Sequence, residues 1–319
     1  MTRSILRFAL MPVFALAACA HAPPRPAAMA AACPAASDAV PADDLFLATL
    51  WQQHAAEYDA LSLQVYARAG QSLRRALADP GWQALLPSES VAPAVAAPVA
   101  VIADIDETLL DNSAFNVRQI RAPIAPCLTP DQARAEWDRR WREWVEEAQA
   151  PALPGAAEFM QQARRDGVAV FYVTNRKDEE RAATCRNLLA AGFPVDDCVG
   201  QVLTRNEAEG RGRDKVSRRQ QVAATHRVAQ LFGDNLGDFA GAVFDSSRQR
   251  DALVDDRRGW WGERWFMLPN PGYGSWEEIL GRIAPTTPAF TTAAARRAHV
   301  RALKEAALQD CRQQDCLLP

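Results

Sequence analysis

Three apolar, β-forming segments that each end in a polar cluster constrain this chain more than any other feature. PVAVIADID (98–106) is a continuous apolar run closed by two carboxylates, GVAVFYVTNR (167–176) ends in Thr174-Asn175-Arg176, and RVAQLFGDN (227–235) ends in Gly233-Asp234-Asn235. Continuous rather than alternating runs belong to strands buried on both faces, the habit of parallel sheets. Shorter strand candidates lie at Gly200 to Thr204 and Trp265 to Leu268. Helical stretches are expected at 155–166, 177–191, 213–225, 236–248 and 275–283. Strands alternating with helices predict an α/β fold with a doubly wound, mostly parallel sheet. Ligands of such sheets sit at the carboxyl ends of the strands. Asp104, Asp106, Thr174 and Asp234 all fall there.

Other segments do not follow that rhythm. Apolar residues at helical spacing, among them Leu50, Trp51, Tyr58, Leu61, Val65 and Tyr66, predict one or two helices before Pro80. A second Ala/Pro stretch at 87–98 reads as a loop. Residues 113–152 are rich in Arg, Glu and Trp (EWDRRWREWVEE) and helical. We expect them to pack over the strand ends with the N-terminal helices, as a smaller, helical, cap-like domain. No internal repeat is evident, and 286–319 is a polar tail with a helix candidate.

The N-terminus reads MTRSILRFALMPVFALAA, with Arg3 and Arg7 ahead of an apolar run of about 14 residues. Spanning a bilayer takes about 20, so 1–18 is expected to be a signal peptide. Leu16-Ala17-Ala18-Cys19 resembles a bacterial lipobox, which makes Cys19 the lipidated first residue of the mature chain. Ala20 rather than Asp after it points to the outer membrane. The Ala/Pro-rich 19–41 cannot bury a core and reads as a tether. The 36 basic and 39 acidic residues give a net charge of −3, and losing Arg3 and Arg7 makes the mature chain more negative. That balance gives no electrostatic case for a nucleic-acid polymer. Cys33, Cys127, Cys185, Cys198, Cys311 and Cys316 form an even set, which in an exported protein predicts disulfides. Their connectivity stays open, with a local Cys311–Cys316 pair as one candidate.

On an extended strand end, Asp104 and Asp106 face the same side. Two carboxylates so placed make a metal site, a nucleophile with a general acid/base, or a pair of solvated acids. Three further polar clusters follow in order. DIDETLLDN (104–112), FYVTNRKD (171–178), Lys215 and GDNLGDF (233–239) resemble the four motifs of the haloacid dehalogenase superfamily of phosphatases. In detail they are similar to the class C acid phosphatases, outer-membrane lipoproteins with 5′-nucleotidase activity. WQQHAAEYDAL and LPNPGYGSWE add to the likeness; Ile105, where the family usually has Leu, departs from it. The resemblance implies a phosphatase domain over 42–285, with its core at about 98–112 and 153–285 and its helical part at about 42–80 and 113–152.

The resemblance also implies roles. Asp104 is the nucleophile that forms an aspartyl-phosphate, and Asp106 is the acid and then the base. Thr174 and Asn175 contact the phosphoryl group, and Lys215 stabilises its charge. Mg²⁺ is held by Asp104, the backbone carbonyl of Asp106 and Asp234, with Asp238 one helical turn beyond. Aromatic residues sandwich the substrate's base, with Phe115 and Tyr273 favoured over Trp141 and Trp144. His54, His226 and His299 read as structural or surface residues. The implied substrate is a small phosphomonoester, foremost a nucleoside 5′-monophosphate, with nicotinamide mononucleotide one candidate. The alternatives are a broad aryl or sugar phosphate phosphatase and a non-catalytic binding lipoprotein. A homodimer is left open.

Overall fold

A computed structural model describes residues 43–90, 97–241 and 246–308. The expected signal peptide (1–18), Cys19, the expected tether (19–41), Cys33, Cys311 and Cys316 lie outside the described residues. The described residues belong to one compact unit.

Five parallel strands form the sheet: β1 (Val99–Ala103), β2 (Ala169–Lys177), β3 (Val202–Arg205), β4 (Arg227–Gly233) and β5 (Trp265–Met267). Their order is β3-β2-β1-β4-β5, so the winding reverses at β1. Ala103 pairs with Tyr172 on one side and Phe232 on the other, and the Asp104 amide donates to the Phe232 carbonyl at 3.0 Å. The ladder thus reaches the first carboxylate and fixes its position. The period of two along β1 sends Val101 and Ala103 to one core and Ala100 and Ile102 to the other. That two-sided burial is why the strand reads as an unbroken apolar run, each fully buried Val or Leu side chain contributing about 1.5–3 kcal/mol.

The helices are α1 (Asp43–His54), α2 (Ala56–Ala78), α3 (Ser113–Arg121), α4 (Pro130–Glu147), α5 (Ala156–Arg165), α6 (Arg181–Ala190), α7 (Cys198–Gln201), α8 (Val216–Ala223), α9 (Ser247–Asp256), α10 (Ser275–Leu280) and α11 (Ala293–Ala306). In α2, Tyr58, Ser62, Tyr66, Ala69, Leu73 and Ala76 make a buried stripe at helical spacing. Tyr66 stacks on Phe232 with centroids 5.8 Å apart, and Phe232 stacks on Phe266 at 5.0 Å. Helix α4 starts at a capping box in which Thr129 and Gln132 satisfy each other's amides, with Pro130 in its first turn. No described helix is long and apolar enough to cross a membrane.

The Cys185–Cys198 disulfide joins α6 to α7, and Cys127 is also disulfide-bonded. One expected helix is interrupted. Among the described residues of 236–248 a 3-10 turn covers Leu236–Asp238, Gly241 lies outside any helix, and α9 begins at Ser247. A continuing helix would use the Gly237 carbonyl to receive the Gly241 amide. Here Arg219 Nη1 occupies the Gly237 and Asp238 carbonyls at 2.9 and 3.1 Å, and the Gly241 amide donates to Glu89 Oε1 at 2.8 Å. Tertiary partners have taken the helix's hydrogen bonds.

Candidate active site

The chain leaves β1 through a tight turn. Ile105 is fully buried and its carbonyl accepts the Leu109 and Leu110 amides, both at 2.9 Å. Glu107 adopts a left-handed conformation, φ 54°. This turn aims Asp104 and Asp106 into the crevice at the winding reversal, with β2 on one side and β4 on the other.

Lys215, at the start of α8, is the electrostatic centre. Its Nζ donates to Asp104 Oδ1 at 2.5 Å and to Asp238 Oδ1 at 2.6 Å. Burial pulls its pKa down, and the two carboxylates outweigh burial and leave it raised. Asp104, Asp234 and Asp238 each offer an oxygen, all within 4.8 Å of one another. Burial pushes Asp104 up to about 6, against the pull of Lys215 and with the help of Asp238 and Asp106. Burial, then Asp238 and Asp104, push Asp234 well above the usual carboxylate range. Three acids, one buried and two partly buried, with one lysine form an excess of negative charge that costs stability. Their oxygens are hard donors of the kind a divalent cation prefers. Thr108 Oγ1 and Asn270 Nδ2 hold Asp234 at 3.1 and 2.8 Å. No described backbone amide donates to the Asp106 carbonyl. The residues present fit a divalent cation, which Asp104, Asp234 and Asp238 could hold.

Asp106 stands apart from this cluster. Arg176 Nη2 donates to its Oδ1 at 2.7 Å and Asn112 Nδ2 at 2.9 Å. Trp144 Nε1 in turn donates to Asn112 Oδ1 at 2.8 Å. Arg176 is buried, also donates to Thr184 Oγ1, and lies with its guanidinium carbon 5.6 Å from the centre of the Trp141 ring. Asn112 and Arg176 are thus site residues that the sequence roles left out. The signal was available for Arg176: strand alternation puts it on the same side as Thr174. Thr174 is buried at the end of β2, and its Oγ1 accepts the Arg176 amide at 3.1 Å. Asn175 is exposed, and its Oδ1 accepts from Arg218 Nη2 at 2.8 Å. Arg218 also reaches the carbonyls of Thr174, Gly212 and Asp214, tying the end of β2 to the Lys215 loop.

The aromatics divide. Phe115 is 4% exposed, edge-on to Trp137 and Trp141, and Trp144 is equally buried. Neither presents a free face, which corrects the expectation that both touch substrate. Apolar area wins these two: Phe115 packs into the core, and Trp144 packs there while its N–H orients Asn112. Trp141 is half-buried and Tyr273 is 38% exposed. Tyr273 donates its hydroxyl to Glu107, and Trp141 lies under the Arg176 guanidinium that holds Asp106. Trp137, 37% exposed, stacks on Trp141 and is a further candidate that sequence reasoning missed.

A doubly wound parallel sheet carrying a lysine-bridged acidic cluster at its winding reversal defines the phosphatase branch of the haloacid dehalogenase fold. Residues 30–276 match the HAD superfamily, subfamily IIIB (acid phosphatase), and the chain belongs to that family. The class C acid phosphatase of Bacillus anthracis, in its crystal structure with tungstate bound, superposes with a TM-score of 0.69 at 29% identity, covering 84% of this chain and 98% of that one. A second structure of the same Bacillus anthracis enzyme gives 0.68 at 28% identity. Acid phosphatase 1 of Solanum lycopersicum is 28% identical over 174 residues. That alignment spans 54% of this chain and 57% of the tomato protein.

Proposed function

We propose that this protein is a Mg²⁺-dependent phosphomonoesterase acting on nucleoside 5′-monophosphates through an aspartyl-phosphate at Asp104. The observation that carries the reading is the division of labour between two acids two residues apart. Asp104 lies against Lys215 within the acidic cluster, while Asp106 is held separately by Arg176 and Asn112. A nucleophile and a proton carrier need this separation. The Asp104 carboxylate attacks phosphorus as the bond to the leaving oxygen breaks, and Asp106 gives that oxygen its proton. Asp106 then takes a proton from water, whose oxygen attacks phosphorus, freeing phosphate and restoring Asp104. Lys215 neutralises charge on the transferring group, and the carboxylate left at Asp106 is met by Arg176. Bound Mg²⁺ offsets the repulsion between phosphate and the carboxylates.

The tungstate of the Bacillus anthracis enzyme, a tetrahedral oxyanion like phosphate, supports a phosphoryl subsite here. Trp141 and Tyr273, each one contact from the Asp106–Glu107 turn and not fully buried, are the aromatics that suit a flat base. The disulfides at Cys185–Cys198 and Cys127 support an oxidising compartment, in keeping with a lipid anchor at Cys19 in the outer membrane.

The test is phosphate release by purified 20–319, at mildly acidic pH with Mg²⁺, from adenosine 5′-monophosphate, nicotinamide mononucleotide, glycerol phosphate and an aryl phosphate. We expect the nucleotides to lead and EDTA with dialysis to abolish turnover. Turnover that survives chelation would remove the metal from the reading. The metal also has a readout without activity. Asp104 and Asp234 have folded pKa values above their unfolded ones, so the metal-free fold holds extra protons and loses stability as pH rises through about 6. A bound cation replaces those protons. The rise in thermal midpoint on adding Mg²⁺ is therefore larger at about pH 7 than at about pH 5.

Arg176→Met should lower kcat by roughly 10²-fold, because general acid–base catalysis contributes about that much or more. It should also shift the alkaline limb of the pH–rate profile, and Arg176→Lys should recover part of the rate. A profile unchanged in Arg176→Met would leave Arg176 a purely structural residue.

A further inference from the structure

Helices α4 and α11 meet across a groove that the reading above does not use. Its cavity is about 410 Å³, with Ile124, Pro130 and Trp137 along it and Arg134, Arg296 and Arg297 among its walls. The first turn of α11 is fixed there: the Ala293 and Ala294 amides donate to the carbonyls of Leu128 and Pro126 at 2.7 and 3.1 Å. This helix lies beyond the family match at 30–276. Arg134 is engaged by Asp138 at 3.2 Å, whereas neither Arg296 nor Arg297 has an acidic partner among the described residues. Trp137 stacks on Trp141 with centroids 5.7 Å apart and planes 9° from parallel. Trp141 in turn carries the Arg176 guanidinium that holds Asp106. An aromatic strip therefore runs from Asp106 towards two unengaged guanidiniums.

We propose that this groove, beside the Trp137–Trp141 pair, is a subsite for a second anionic group on the substrate. The inference rests on the phosphomonoesterase reading and extends it to substrate choice. Guanidinium forks match the oxygens of a phosphate or carboxylate. Nucleotides bearing a further phosphate are then preferred over the plain monophosphates.

The test compares adenosine 3′,5′-bisphosphate with adenosine 5′-monophosphate in the wild type and in Arg296→Ala/Arg297→Ala. We expect the wild type to favour the bisphosphate by about tenfold in kcat/KM, and the double variant to bring that ratio close to one. Calorimetric binding of both nucleotides in an Asp104→Asn background reads the same ratio without turnover. If neither nucleotide is hydrolysed, the phosphomonoesterase reading fails, and calorimetry still decides the groove. Equal ratios in wild type and double variant, or no binding in either background, overturn the proposal. So does co-sedimentation with anionic phospholipid vesicles that the double variant loses while its nucleotide ratio stays unchanged, because the arginines would then face a membrane.

Discussion

Asp104→Asn is expected to yield a folded protein whose phosphate release is lower by roughly 10⁴-fold or more, since removal of a covalent nucleophile is among the costliest single changes in an enzyme. The fold should tolerate the change, and the reason is electrostatic. Asp104 is a buried carboxylate repelled by Asp238 and Asp106, and its own burial is the largest influence on its titration. Asparagine keeps the shape and removes the charge, while Lys215 keeps its 2.6 Å contact with Asp238. In metal-free buffer the thermal midpoint should therefore hold or rise, and the gain on adding Mg²⁺ should shrink. Near-normal turnover in this variant would end the aspartyl-phosphate mechanism, and lost turnover with a collapsed midpoint would show only that the fold had failed.

The second large effect lies away from the reacting atoms. Glu89 and Arg219 form a fully buried, two-pronged pair, with Nε and Nη2 each donating to a carboxylate oxygen at 2.8 Å. Removing one partner of such a pair strands the other charge at a cost of about 3–5 kcal/mol, whereas replacing both can be close to neutral. Glu89→Ala should lower the unfolding free energy in urea by that amount, and Glu89→Ala/Arg219→Met should regain much of it. The single variant should also weaken Mg²⁺ stabilisation, because Arg219 and Glu89 shape the 237–241 backbone that carries Asp238. A loss below about 1 kcal/mol would mean that water reaches the pair.

Much of the fold was legible because its causes are local. The runs at 98–106, 167–176 and 227–235 are apolar throughout, since β1, β2 and β4 are covered on both faces, and the structure places strands there within a few residues. The acids and the lysine were legible because the motifs that carry them are short and contiguous. What was not legible depends on long-range partners. Nothing near 236–248 announces that Arg219 and Glu89 will take a helix's hydrogen bonds, and Glu89 lies 130 residues from Arg219. Phe115 and Trp144 look like Trp141 in sequence, and only the packing of α3 and α4 decides which ring stays open. Arg176 was written in the strand period, and went unassigned because the motif's polar residues drew attention to Thr174 and Asn175.

The stack of Tyr66, Phe232 and Phe266 has a consequence for how the chain is made. The apolar stripe of α2 is built early in synthesis, yet its ring partners on β4 and β5 come 166 and 200 residues later. The central strand β1 likewise waits for β4 to complete its second edge. Closing such distant pairings is slow, so the emerging N-terminal half has no finished core to collapse onto. Until β4 and β5 are made, Tyr66 lacks its ring stack and β1 lacks its second edge.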